Sequence, residues 1–132
     1  MNKVVAHFSD GRIVKGTTAD FAPGKYLFHV SLPPTASGAT SMEIRTQDLK
    51  ALYFVKDFAG NQQRVDRNEF DPSHPPILRA MRVTFKDGEV LVGTTTGYQP
   101  DRPGFFLVPA DAGSNIDRCY VVVAATQEIR FL

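Results

Sequence analysis

Long apolar runs are missing from this chain. The longest aliphatic stretch, "VVVAA" at 121–125, falls far short of a membrane span, and the opening "MNKVVAHFSD" has no apolar core of the kind a secretion signal carries. A cytoplasmic protein without membrane insertion is therefore expected. An excess of one charge is missing too: 15 Lys and Arg face 14 Asp and Glu, for a net charge of +1. That balance argues against affinity resting on a strong positive field, as in most nonspecific nucleic-acid binders. Cysteine is nearly absent. Cys119 alone excludes an internal disulfide and a thiolate metal site within one chain, and its place before "YVVV" reads as a strand residue. His7, His29 and His74 form no pair at ligand spacing. No "GxSxG", "GxxxxGK" or "GxGxxG" occurs, so neither a nucleophile elbow nor a nucleotide cradle is encoded. No catalytic residue, cofactor or metal is expected.

What is present is repetition. "FSDGRIVKGTTADFAP" at 8–23 returns as "FKDGEVLVGTTTGYQP" at 85–100, an offset of 77 residues. Beyond it, "PDRPG" reads as an insertion of three residues that shifts the offset to 80 and matches Gly24 with Gly104 and Leu27 with Leu107. The offset then returns to 77, matching Ile44 with Val121 and Phe54 with Phe131. Gaps that fall in Pro and Gly-rich connections are what a duplicated fold predicts. The reading is two units at 1–55 and 80–132, with a Pro-rich linker at 56–79 that forms at most a short turn near "QRVDRNEF".

Within each unit the apolar period is two. Met81, Val83 and Phe85 alternate with Arg82, Thr84 and Lys86, which gives a strand one apolar and one wet face. Asp-Gly between two such runs predicts a hairpin, because glycine accepts the positive φ of a tight turn. A mid-strand glycine, Gly16 or Gly93, predicts a bend or bulge in the second strand. Third strands are expected at "KYLFHVSL" and "FFLVPA", and fourth strands at "SMEIRT" and "CYVVVA". A single turn then precedes a closing strand at "LYFV" or "EIRFL". The fold class expected is all-β, two tandem five-stranded small barrels. One unit of that size has a marginal core, and pairing two covers faces neither covers alone.

This order of features resembles the SH3-like and Sm-like small barrels, and "DGRIVKG" at 10–16 is similar to the Sm core pattern. Neither loop after the bent strand holds the Asn with which Sm proteins grip a base, so what is shared is layout. "DLKALYFVKDFAGN" at 48–61 and the stretch 82–111 resemble an uncharacterised bacterial family of duplicated small-barrel domains associated with regulatory proteins. That resemblance implies a regulatory setting and brings no activity with it.

Few side chains suggest chemistry. Thr17, Thr18, Thr94 and Thr95 read as strand residues chosen for β-propensity. Asp10 and Asp87 belong to their turns, Asp111 and Asp117 flank a solvated loop, and His7, matched with Thr84, faces outward. Arg64 and Arg67 resemble the arginine pair of cyclic-di-GMP-binding PilZ barrels. The candidate interaction surface is Tyr98, Arg102, Phe105 and Phe106. Adjacent strand residues point to opposite faces, so one of the two phenylalanines needs a cover outside its own barrel, either the other barrel through Tyr26 or Phe28 or a protein partner. Residues 1–60 carry seven basic and five acidic groups against six of each in 78–132, which makes the first unit the better match for an acidic partner. The expected function is a non-catalytic protein-interaction or regulatory module. RNA binding of the Sm type and cyclic-dinucleotide or other small-ligand binding are the alternatives.

Overall fold

Each half begins where an Asp-Gly pair turns the chain back. Gly11 and Gly88 take φ of 97° and 93°, in the left-handed region that glycine enters without a Cβ clash. Asp10 Oδ1 accepts from the Arg12 amide, and Asp87 Oδ1 from the Glu89 amide, both at 3.0 Å. A computed structural model describes residues 2–33, 40–59, 67–73, 76 and 78–132. In it the two turns join β1 (Asn2–Phe8) to β2 (Ile13–Thr18) and β6 (Arg79–Phe85) to β7 (Val90–Thr95). The first half continues with β3 (Leu27–Ser31), β4 (Ser41–Arg45), a single 3-10 turn (Thr46–Asp48) and β5 (Leu49–Val55). The second continues with β8 (Gly104–Pro109), β9 (Ile116–Val122), a single 3-10 turn (Val123–Ala125) and β10 (Thr126–Phe131). No helix among the described residues is long and apolar enough to cross a membrane.

All ten strands join one antiparallel sheet in the order β10-β6-β7-β8-β9-β5-β1-β2-β3-β4. The all-β expectation is met, but two self-contained barrels are not what forms. Neither half closes on itself. The edge that β5 leaves open is paired instead by β9 of the other half, with Ala51 opposite Val121, Leu52 opposite Tyr120 and Tyr53 opposite Cys119. An unpaired strand edge is a row of free donors and acceptors, and the second half satisfies this one. Of the short turn expected near "QRVDRNEF" (63–70), residues 63–66 lie outside the described residues, and 67–70 hold only a bend at 68–69.

The register corrects the expected insertion. Thr17 faces Ser31 across β2 and β3, and Thr94 faces Val108 across β7 and β8, so the offset stays at 77. Phe28 therefore corresponds to Phe105, and His29 to Phe106. The same bonds recur at that spacing: Thr18 Oγ1 donates to the His29 carbonyl at 2.8 Å, and Thr95 Oγ1 to the Phe106 carbonyl at 2.7 Å. Phe21 packs edge-on to Phe28 with centroids 5.0 Å apart, and Tyr98 to Phe105 at 5.1 Å. The mid-strand glycines permit close approach: a Cβ on Gly16 would collide with the Ser31 carbonyl, and one on Gly93 with that of Val108.

Two cores result, and each draws on both halves. One gathers Met81, Val83, Phe85, Phe105 and Leu107 with Val5, Ala51, Tyr53 and Val55 of the first half. The other gathers Val4, Ala6, Phe8, Phe28, Val30, Ile44 and Leu52 with Tyr120 and Val122 of the second. Every residue of β5 is buried, because one face of the strand serves each core.

Candidate binding cleft at the seam

Lys50 sits at a shift of register, between Leu49 opposite Phe8 and Ala51 opposite His7, and the seam supplies its counter-ions. Lys50 is 7% exposed. Its Nζ donates to Asp87 Oδ2 at 2.7 Å and Glu89 Oε2 at 2.9 Å, both from the β6–β7 turn of the other half, and lies 4.7 Å from the centre of the Phe85 ring. Burial pulls the Lys50 pKa down, but the two carboxylate hydrogen bonds outweigh it and leave the ammonium above its ordinary value. Asp87 is held below the usual carboxylate range by the same Lys50 bond and by the Glu89 amide. Tyr53 Oη donates to the second oxygen of Glu89 at 3.1 Å, and burial pushes that phenol far up. The His7 ring stands edge-on to Tyr53 with centroids 4.6 Å apart. Burial, then the Lys50 charge, lowers the His7 pKa and keeps the imidazole neutral.

Beside this network the sheet opens into a cleft of about 510 Å³. Its walls follow from register. Lys15 of β2 lies opposite Val5 of β1, which lies opposite Tyr53 of β5; in the next row Ile13 faces His7. From the other half come Glu89, Val90, Leu91 and Ile116, and Phe58 and Asn68 complete the rim. Ile13 is 56% exposed and Val90 37%. Lys15 Nζ donates to the Phe58 carbonyl at 3.1 Å, and Asn68 Nδ2 to the Val90 carbonyl at 3.1 Å. The place is thus an apolar trough between halves with a few fixed polar groups, which is how binding pockets are usually made.

The residues singled out from sequence lie in several places. Phe105 and Phe106 do point to opposite faces, and each meets a core. Phe105 is buried in the second half's core, whereas Phe106 packs on Phe54, Phe21 and Tyr120 in the first half's. Arg118 covers Phe106 and Phe54 from outside, at 4.5 and 4.4 Å. Phe28 reaches Phe106 only through Phe21, and Tyr26 is exposed. Tyr98 lies half-buried against Phe105, and Arg102 alone of the four is exposed, its Nε donating to Gln99. His7 faces the cleft rather than open solvent. Asp111, expected in a solvated loop, is buried and accepts from the amides of Arg67 and Gly113, which ties the linker down. Cys119 is buried in β9, and burial raises its thiol pKa. Arg64 and His74 lie outside the described residues.

Sequence reasoning passed over Lys50, Tyr53, Glu89, Ile13 and Lys15. A signal was available in the comparison of the repeats. Lys50 corresponds to Gln127 and Glu89 to Arg12, a paired change of charge that marks the junction where, among the described residues, a buried lysine is ion-paired.

No curated protein and no solved structure matches the chain. The pattern of a family of unknown function, DUF6982, matches residues 1–132, and the chain belongs to that family.

Proposed function

We propose that the chain is a non-catalytic interaction module, assembled from a duplicated small-barrel unit of SH3-like and Sm-like layout, that seats a partner protein in the cleft at its seam. The observation that carries this reading is the apolar trough itself. Ile13 and Val90 stand exposed at its mouth over a floor of Val5, Val55, Leu91 and Ile116. Exposed apolar side chains beside a concave apolar floor are a costly arrangement for a surface unless something covers them. The duplication supplies the trough, because its walls come from both halves. A bacterial regulatory setting is what the resemblance of residues 48–61 and 82–111 suggests, and the short apolar runs suggest the cytoplasm.

The test is selection of displayed peptides on the immobilised protein, followed by binding measurements on Ile13→Asp. Peptides with an apolar anchor should emerge, and their affinity should fall about tenfold or more in the variant at an unchanged melting temperature. Equal binding to both proteins would remove the cleft from consideration.

A further inference from the structure

The charges around the cleft do not cancel locally. Both oxygens of Glu89 are engaged, Oε2 by the buried Lys50 ammonium and Oε1 by the Tyr53 hydroxyl, so this carboxylate is already matched. Lys15 has no carboxylate partner among the described residues. Its ammonium gives one hydrogen bond, to the Phe58 carbonyl, and keeps two donors unspent at the mouth of an apolar trough. Ile13 lies two residues before Lys15 on the same face of β2, so a group set against Ile13 has the ammonium within reach.

We propose that the cleft takes a monocarboxylate carried on a compact apolar body, with the carboxylate received by Lys15 and the apolar part set between Ile13 and Val90. This rests on the reading of the cleft as the binding site and names the chemistry it selects. Lys15 is the cation on the cleft's own lining, with Lys3 beyond it over the Phe58 ring at 5.9 Å; an ammonium with two open donors receives a carboxylate, whereas a phosphate group calls for several converging donors or a guanidinium fork. The neutral His7 ring adds a wall that either donates or accepts one hydrogen bond without adding charge. The source that fits a partner protein is the carboxyl terminus of a chain ending in an apolar residue, and a free aliphatic acid is the competing outcome of the test.

The test is an amide-resolved NMR titration of the full chain with N-acetyl-leucine, N-acetyl-leucinamide and octanoate. N-acetyl-leucine should shift the backbone amides of Val5, Ile13, Lys15, Val90 and Ile116. It should bind about fivefold more tightly than the amide, the ratio a partly exposed ion pair gives. Lys15→Gln should erase that ratio, and Ile13→Asp should abolish both titrations. Tighter binding of N-acetyl-leucine than octanoate assigns the ligand to a chain terminus, and the reverse order would overturn the terminus in favour of a free acid. Equal affinity for acid and amide would overturn the carboxylate while leaving the cleft as a site. Shifts that avoid the cleft with all three probes would overturn both.

Discussion

The seam and the two free ends of the sheet are built from equivalent strands, yet they carry opposite chemistry. At the seam β5 turns Ala51, Tyr53 and Val55 toward the second half's core; 77 residues on, at the free edge, β10 has Glu128 and Arg130, with the exposed Leu132 just past its end. Likewise Phe106, Tyr120 and Val122 of the second half enter the first half's core, where their counterparts near the edge strand β4 are His29, Glu43 and Arg45. His29 is bound there to Asp20 at 2.8 Å, in a surface network rather than a core. One backbone plan thus serves two tasks. A strand facing a second core must be apolar on both sides, and a strand that ends a sheet is protected from further pairing by charge.

Separating the halves tests this most severely. Expressed alone, residues 1–59 or 78–132 should fail to give a cooperative melt by circular dichroism, because each core loses side chains that only the other half provides. A stable isolated half would show that the shared cores are dispensable. At single-residue scale the pair to compare is Tyr120 and Glu43. Tyr120 is 1% exposed, and Tyr120→Ala should cost about 3–5 kcal/mol in urea unfolding. Glu43→Ala at the equivalent edge position should stay within about 0.5 kcal/mol.

Moving the seam's chemistry to the ends runs the comparison in reverse. His29→Phe, Glu43→Tyr and Arg45→Val, combined with Glu128→Ala and Arg130→Tyr, would give the outer edges the faces of β9 and β5. The contact would be heterologous, joining the first half of one chain to the second half of the next, and such contacts propagate. Light scattering should then show mass rising with concentration, against a monomer for the unaltered chain. An unaltered chain that already assembles would show that the charged edges do not block pairing.

The buried ion pair is a smaller effect. Lys50→Ala should lower stability by about 1–3 kcal/mol, less than a fully buried pair because Asp87 and Glu89 are half exposed and water screens them once Lys50 is gone. Gln127→Ala, the equivalent change at the open end, should be close to neutral. Equal losses would mean that the seam's ion pair contributes nothing beyond side-chain packing.

Much of the local plan was legible in the residues. Asp-Gly fixed both hairpins, period-two alternation fixed the strands, and a single turn before each closing strand was expected and is present, at Thr46–Asp48 and Val123–Ala125. Pairing between distant strands was not. Nothing near β5 states that its open edge belongs to β9, although "LKALYFV" does announce a strand without a wet face. The three-residue insertion was inferred from the likeness of Leu27 to Leu107, and it failed because backbone register, not side-chain likeness, sets equivalence: Thr18 and Thr95 bond to His29 and Phe106. His29 and Phe106 are then equivalent positions with unlike neighbours. The cleft was invisible for the same reason, since its walls are brought together only by the seam.

His7 gives the finest test, because its counterpart Thr84 does not titrate. The groups that act on His7 are Lys50 and Lys15, which lower its pKa, and Glu89 and Asp87, which raise it; burial is the largest influence and lowers it. In the unfolded chain the imidazole takes a proton near its ordinary 6.5, while in the folded chain it resists until lower pH. The unfolded state therefore binds more protons between the two values, and stability falls as pH drops through that interval. Asp20, held at about 2 first by the His29 amide and then by the His29 ring, loses its contribution only as pH falls below 3.8, outside the range over which His7 is followed. Urea midpoints from about pH 7.5 to about pH 5 should decline in the unaltered chain, and the decline should be shallower in His7→Thr. Parallel slopes in the two proteins would place the proton elsewhere and make the seam's imidazole as indifferent to pH as the threonine at its counterpart.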